Sequence, residues 1–240
     1  MLCYEYPPLG GGGSSVVQGL SRELIRFGHE IDIVTMGYRG LPRHEQINGV
    51  NIYRLRPVRR DKTVCHANEM SVHDLLATPF VVKLIRRHKY DLNHTHFILP
   101  DGLTALLAQK LTGLPYIVTA HGSDVPGYNP DRFTYLHRLL APMWNMIVHN
   151  SRKIICPSEN LRSLVVAQRE TAKTCIIPNA LDPLKFSHLR EKHTRVLIVT
   201  RMFQRKGVQK ILKVLETTNF RFEVNIVGDG PYLETLRQMA

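Results

Sequence analysis

Short runs of β-branched residues alternate along the chain with longer stretches whose apolar positions return every third or fourth residue. That alternation of period two and period 3.6 is the mark of βαβ units around a parallel sheet. The strand-like runs are Met1 to Glu5, Glu30 to Thr35, Val50 to Leu55, Tyr90 to Thr95, Tyr116 to Ala120, Lys153 to Cys156 and Thr174 to Ile177. Between the first two, Val16, Leu20, Leu24 and Phe27 predict a helix face, with Ser14 or Ser15 as the cap and Gly28 as the stop. The pattern predicts an α/β fold, a Rossmann-like doubly wound parallel sheet over residues 1–182. A polar stretch, KFSHLREKHT, then marks a linker at 183–194, after which RVLIVT opens a fresh strand. A helix from Gly207 to Thr218, a strand from Glu223 to Val227 and a last helix follow. The 46 residues from 195 to 240 are too few to close a doubly wound core, and are expected to be the first part of a second Rossmann-like domain.

Composition narrows the class. Hydrophobic residues at 43% and charged residues at 22% fit a globular protein and exclude disorder and collagen. No apolar run approaches the length of about 20 residues that a membrane span needs. The start, MLCYEYPPLGGGG, lacks the basic and apolar regions of a signal peptide, which leads to the expectation of a cytoplasmic protein. Cys3, Cys65, Cys156 and Cys175 are scattered with no CxxC, as buried reduced thiols would be. A formal charge of +12 favours anionic partners: nucleotide phosphate, acidic lipid or nucleic acid.

Gly10 to Gly13 join the first strand to a helix, where free backbone N–H groups can meet an anion and absent Cβ atoms let a ligand approach. No GK[ST] follows and the spacing is not GxGxxG, so a tight βα turn without ligand is the equal alternative. His94 and His96 end one strand, and His121 ends the next, in VTAHGSD with Asp124 close by. Ligands of open α/β sheets sit beyond the carboxyl ends of strands, so the three histidines are candidates for substrate contact or for structural hydrogen bonds. A metal site is the weakest reading, since no carboxylate falls at ligand spacing. In TRMFQRKG, Arg201 and Lys206 flank a strand-to-helix turn that suits a diphosphate or, equally, a solvated basic surface. IVGDGP ends the following strand in a second turn of little bulk, between Gly228 and Pro231.

Taken in order, PPLGGGGSSVVQGLSRELIRFGHEIDIVT, DLNHTHF, VTAHGSD, IICPSENL, IIPNALDPLKF, VTRMFQRKG and VGDGP resemble the retaining glycosyltransferases of family 4, over essentially the whole chain. The resemblance implies the GT-B architecture, with an acceptor-side domain at 1–182 and a nucleotide-sugar-binding domain from 195. It further implies transfer of a sugar from a nucleotide sugar to a lipid or saccharide acceptor with retention. In that frame His121 is the catalytic candidate, contacting the donor sugar. Gly11 and Gly12 meet the donor phosphates or the acceptor, Arg201 and Lys206 bind the diphosphate, and Gly228 and Pro231 line the nucleotide pocket. His94, His96 and Asp124 are acceptor-side candidates. No cofactor and no metal are expected, because no DxD motif is present and arginine with lysine can stabilise the departing diphosphate. The family's acidic motif of two glutamates does not occur within these 240 residues, so the chain alone is expected not to catalyse transfer.

IYRLRPVRRDK carries five basic residues and one acid, and DLLATPFVVKLIRRHKY sets an apolar block beside Lys83, Arg86, Arg87 and Lys89. Both suit an anionic membrane surface and a lipid-linked acceptor, with the enzyme peripheral at the membrane. The second reads more readily as a core-facing helix with a solvated basic end, and Pro79 is expected to interrupt it. A non-catalytic glycosyltransferase-like binding subunit is the alternative function. A nucleic-acid-binding protein is disfavoured, because no recognition motif accompanies the charge.

Overall fold

The computed structural model describes residues 1–62, 64–129, 134–180, 195–218 and 223–239. The expected linker lies outside them. The chain divides into two compact units, Met1–Asp182 and Pro183–Ala240.

In the first unit the strands are β1 (Asp32–Gly37), β2 (His44–Ile47), β3 (Val50–Pro57), β4 (Asn93–His96), β5 (Tyr116–Thr119), β6 (Ile154–Cys156) and β7 (Thr174–Ile176). They form two ribbons, β2-β3-β1 and β4-β5-β6-β7. The segment at Leu2 joins them, bridging Val34 on one side and Thr95 on the other. The expected first strand, Met1 to Glu5, is thus reduced to isolated bridges. Its backbone is still held between its neighbours, by Leu2 N–H to the His94 carbonyl at 3.0 Å on the β4 side and Val34 N–H to the Met1 carbonyl at 3.0 Å on the β1 side. All pairings are parallel except β2 with β3. That hairpin turns through Asn48 and Gly49, both at positive φ (49° and 83°), as an Asn-Gly turn favours.

The helices are α1 (Gly12–Arg26), α2 (Ala67–Arg87), α3 (Asp101–Thr112), α4 (Thr134–Asn150) and α5 (Glu159–Gln168). Ile33 and Val34 are adjacent in β1 yet belong to different buried clusters, as a sheet covered on both faces requires. One cluster packs Val81, Leu106, Trp144 and Leu161 of α2 to α5 against the sheet. The other packs Val17 of α1 with Tyr4, Ile52 and Phe97.

Two helices differ from expectation. The N-cap of α1 is Gly11, not a serine, and its buried face is Ser14, Val17 and Ser21. Phe27 lies past the last turn and is 80% exposed. Gly28 does end the helix, with its N–H on the Ile25 carbonyl and that of His29 on the Leu24 carbonyl, a Schellman motif. Helix α2 runs without a break through Pro79. The proline leaves only the Leu75 carbonyl without its helical donor, and Leu75 is exposed to water.

The second unit contributes β8 (Arg195–Val199), parallel to β9 (Glu223–Val227), with α6 (Val208–Glu216) and α7 (Leu233–Met239). Met202, Val208, Leu212 and Leu236 form its small core.

Candidate active site

The order β2-β3-β1, then the Leu2 segment, then β4-β5-β6-β7, puts the change of winding direction between Leu2 and β4. At such a switch point the loops leaving the strand ends diverge and leave a crevice. Three loops meet there, Tyr4 to Gly13, Phe97 to Pro100 and Ala120 to Asp124; the first and third carry sequence candidates, and His94 and His96 lie in β4 just before the second.

Parallel register sets His96 beside Thr119, so His121, two residues further, rises just beyond it. The His96 Nδ1 lies 3.1 Å from the His121 Nε2. The His94 ring stacks on His96 with centroids 4.5 Å apart, and its Nε2 meets the Thr119 hydroxyl at 2.8 Å. Burial holds all three imidazoles neutral: His94 is pushed down to about 3, His121 to about 4, and His96 well below its usual value. The His96 Nε2 is buried with no partner. An orphaned N–H costs more than an orphaned lone pair, which fixes the tautomers. His96 donates from Nδ1, His121 accepts at Nε2, and His121 keeps its proton on Nδ1. That donor edge lies beside α1, where a Cβ on Gly13 would be 3.7 Å from it.

Phe97 completes the arrangement. Its backbone, at φ 73°, is in the left-handed region that costs an L-residue roughly 1–2 kcal/mol. The turn is secured by Phe97 N–H on the Thr119 carbonyl at 2.9 Å. It lays the ring against His121 (4.4 Å) and Tyr4 (4.9 Å). A Cβ on Gly13 would stand 2.8 Å from that ring, so glycine is required there by packing. Gly11 and Gly12 have nothing within 4 Å of a Cβ, and their surface is open. The Gly11 N–H is held by the Glu5 carboxylate at 3.3 Å. An acid already sits at the N-terminus of α1, where a phosphate would otherwise be favoured.

Asp124 is buried, accepting from His121 N–H at 3.0 Å and Ile98 N–H at 2.7 Å. Burial pushes its carboxyl up to about 6 against these bonds. It clamps two of the loops together and so positions His121. His94 and His96 stand behind His121 in the same way, His96 with no exposure at all. Sequence reasoning missed Phe97 and Glu5 as parts of this site, and read Gly13 as one of a ligand-facing run where it is a packing position against Phe97. The DLNHTHF motif contained Phe97 and the glycine run contained Gly13, while nothing in the sequence marked Glu5. Among the described residues, no group of three or more His, Cys, Asp or Glu side chains is disposed to hold a metal.

In the second unit the two expected turns are knit together. Met202 N–H bonds the Asp229 carbonyl at 2.8 Å, and Tyr232 N–H bonds the Met202 carbonyl at 3.0 Å. Gly228, at φ 151°, would put a Cβ 1.8 Å from the Thr200 carbonyl oxygen, so it is required by this close approach. Arg201 and Lys206 are exposed on the turn before α6, and the Arg201 guanidinium lies 5.5 Å from the Phe203 ring centroid. Neither has a carboxylate partner among the described residues, so both charges remain available. Pro231 is exposed beside them in the second turn.

Of the basic stretch at 52–62, Arg54 and Arg59 are buried, Arg54 paired with Glu45 and Arg59 facing Glu5. They are structural, which corrects the expectation that this stretch as a whole offers a cationic surface. On α2, Lys83, Arg86, Arg87 and the following Lys89 are exposed.

A family model described as Glycosyltransferase Family 4 matches residues 10–184. The chain is 28% identical to an uncharacterized glycosyltransferase of Methanocaldococcus jannaschii, covering 98% of this chain and 65% of that protein. It is 23% identical to a subunit of phosphatidylinositol N-acetylglucosaminyltransferase from Saccharomyces cerevisiae, over 100% of this chain and 54% of that protein. The chain therefore spans less than two thirds of the length of these relatives. Among solved structures, sucrose-phosphate synthase from Thermosynechococcus elongatus shares the fold at a TM-score of 0.73 and 16% identity, covering 91% of this chain and 56% of that one. With most of its length matched by the family model and its fold shared with GT-B enzymes, the chain belongs to Glycosyltransferase Family 4.

Proposed function

We propose that the chain serves transfer of a sugar from a nucleotide sugar to a lipid or saccharide acceptor, with retention and without a metal. The observation that carries this reading is the neutral His121, hydrogen-bonded through Nε2 to His96 and with its Nδ1 edge beside Gly13, the residue that follows the open positions Gly11 and Gly12. A neutral donor in a desolvated crevice suits a sugar hydroxyl, where a charged one would be solvated or paired. Because Glu5 already occupies the Gly11 N–H, the glycine loop meets the sugar or the acceptor in this reading, not the phosphates. The diphosphate binds the second unit at Arg201 and Lys206, with Gly228 and Pro231 beside it.

In the reaction the bond from the anomeric carbon to the phosphate oxygen breaks as the acceptor oxygen bonds to that carbon on the same face. The acceptor proton passes to the departing phosphate, and no protein nucleophile takes part. Arg201 and Lys206 stabilise the charge that develops on the diphosphate. The setting is the cytoplasmic face of a membrane, with peripheral contact through the exposed cations of α2. Among the described residues, no helix is long and apolar enough to cross a membrane.

Calorimetric titration with nucleoside diphosphates and nucleotide sugars tests the reading. Arg201→Ala and Lys206→Ala should each weaken diphosphate binding by about 1.5–3 kcal/mol, the range for a lost charge-assisted hydrogen bond. His121→Ala should weaken nucleotide sugar but not nucleoside diphosphate, and a strong chelator should change neither. Unchanged diphosphate binding in both basic-turn variants would remove the assignment.

A further inference from the structure

Helices α2, α3 and α4 leave between them a cavity of about 610 Å³. Its lining is largely apolar, with Met70, Leu103, Leu140 and Met143 in the walls and Leu75 and Leu107 also exposed to solvent. Ser123 and Asp124 of the loop after β5 form part of its wall. Asp74 lies in the wall, its Oδ1 accepting from the Thr104 hydroxyl at 3.1 Å. Burial raises the Asp74 carboxyl to about 7, so it opposes an apolar occupant less than an ordinary carboxylate would.

Thr78 and Pro79 border this cavity and also a second, open trough of about 560 Å³. The trough is lined by Val82, Leu111, Lys83, Arg86 and Arg87. These three cations are exposed and have no carboxylate partner among the described residues. Along α2, Thr78 to Arg86 spans about 12 Å at 1.5 Å per residue. An apolar chamber therefore adjoins, at Thr78 and Pro79, a trough whose three cations have no carboxylate partner among the described residues, and the pair is complementary to a molecule with a hydrocarbon chain at one end and an anion at the other.

We propose that the cavity and trough together bind one anionic lipid, its chain between α2, α3 and α4 and its phosphate at Lys83, Arg86 and Arg87. A membrane-bound surface patch alone would need only the cations and the exposed leucines. The chamber adds room for a chain withdrawn from the bilayer. The assignment deepens the membrane contact proposed above and rests on it only for the source of the ligand.

The test is calorimetry on this chain with a series of alkyl phosphates, from butyl to dodecyl, kept below their micelle-forming concentrations. Each added methylene should tighten binding about fourfold, as expected for a buried CH₂, until the cavity is filled. Replacing Lys83, Arg86 and Arg87 together by Gln should weaken binding about a hundredfold, at about 1 kcal/mol per cation. Leu103→Phe should shorten the chain at which the gain stops. The series on the unaltered chain decides the question even if that variant fails to fold. An affinity independent of chain length, or equal binding of a neutral alkyl maltoside, or an unchanged triple variant, overturns the proposal. Vesicle binding that persists alongside a flat chain-length series would leave a surface contact and no lipid pocket. Sugar transfer is not read in any arm, so its failure bears only on the proposed activity.

Discussion

The glycine run contains two positions constrained by their surroundings, Gly10 and Gly13, and two that packing leaves free, Gly11 and Gly12, and substitution can separate the two roles. Gly12 is the first residue of α1, and nothing lies within 4 Å of the place a methyl on it would take. Gly12→Ala should therefore stabilise the helix by about 0.5–1 kcal/mol, because alanine loses less backbone freedom than glycine on folding. For a chain of this size that is a rise of roughly 1–4 °C in the unfolding midpoint. Gly13→Ala differs, since its methyl would stand 2.8 Å from the Phe97 ring and 3.1 Å from a second ring atom. That ring is buried and packed on both Tyr4 and His121, so it has little room to yield. Overpacking of this kind costs about 1–3 kcal/mol, enough to exceed the helical gain.

The functional outcome separates them the other way. If a sugar or acceptor lies against the loop backbone, the Gly12→Ala methyl occupies its place, and nucleotide-sugar affinity should fall tenfold or more in a protein that is more stable than before. Nucleoside diphosphate, bound at the basic turn of the second unit, should be unaffected. Thermal unfolding and calorimetry on the same preparations give both numbers. A Gly12→Ala variant that binds nucleotide sugar as the unaltered chain does would refute the approach of ligand to this loop, and the glycines would be left with a packing role alone.

Other consequences follow from buried charge and exposed strands. Burial raises Asp74 from 3.8 to about 7, so the folded state retains a proton that the unfolded chain releases, and stability falls as pH rises through that window. Asp74→Asn keeps the acceptor for Thr104 and should flatten this dependence, with a gain at pH 8 of up to about 4 kcal/mol at 1.36 kcal/mol per unit. An unchanged urea midpoint at pH 8 would count against it. His121, lowered from 6.5 to about 4, acts in the opposite sense: its contribution is lost as pH falls from 6.5 towards 4, and His121→Gln should reduce acid destabilisation in that range, read from urea midpoints at pH 7 and pH 4.5. In the second unit Leu197, Val199 and Val227 are more than half exposed, so amides of β8 and β9 should exchange faster than those of the buried β5. Equal protection in a hydrogen-exchange experiment would show that this sheet face is covered.

The sequence pattern located most strands and helices because each is a local matter of period and punctuation. The strands β1 and β3 to β9 fall where β-branched runs predict them. The hairpin strand β2 was missed although its Asn48-Gly49 turn is a local signal, because HEQI has no alternation of apolar and polar residues to draw attention to it. Phe27 misled for a related reason. It continues the helical period, but Gly28 ends the helix before that face can be buried.

The site was legible only as a set of strand ends. That His96 and His121 share a hydrogen bond follows from the register His96 to Thr119 between strands 25 residues apart, and no spacing rule along one strand contains that register. The same holds for charge. Arg54, Arg56, Arg59 and Arg60 look alike in the sequence, yet Arg54 and Arg59 are buried against carboxylates contributed by Glu45 and Glu5, while Arg56 and Arg60 remain exposed. A basic run becomes a binding surface only where no acid from another element reaches it. Among the described residues, the last turns of α2 and the turn before α6 are two places where exposed cations cluster without a carboxylate partner, so an anionic ligand in either unit should be sought there before the rest of the +12 charge is considered.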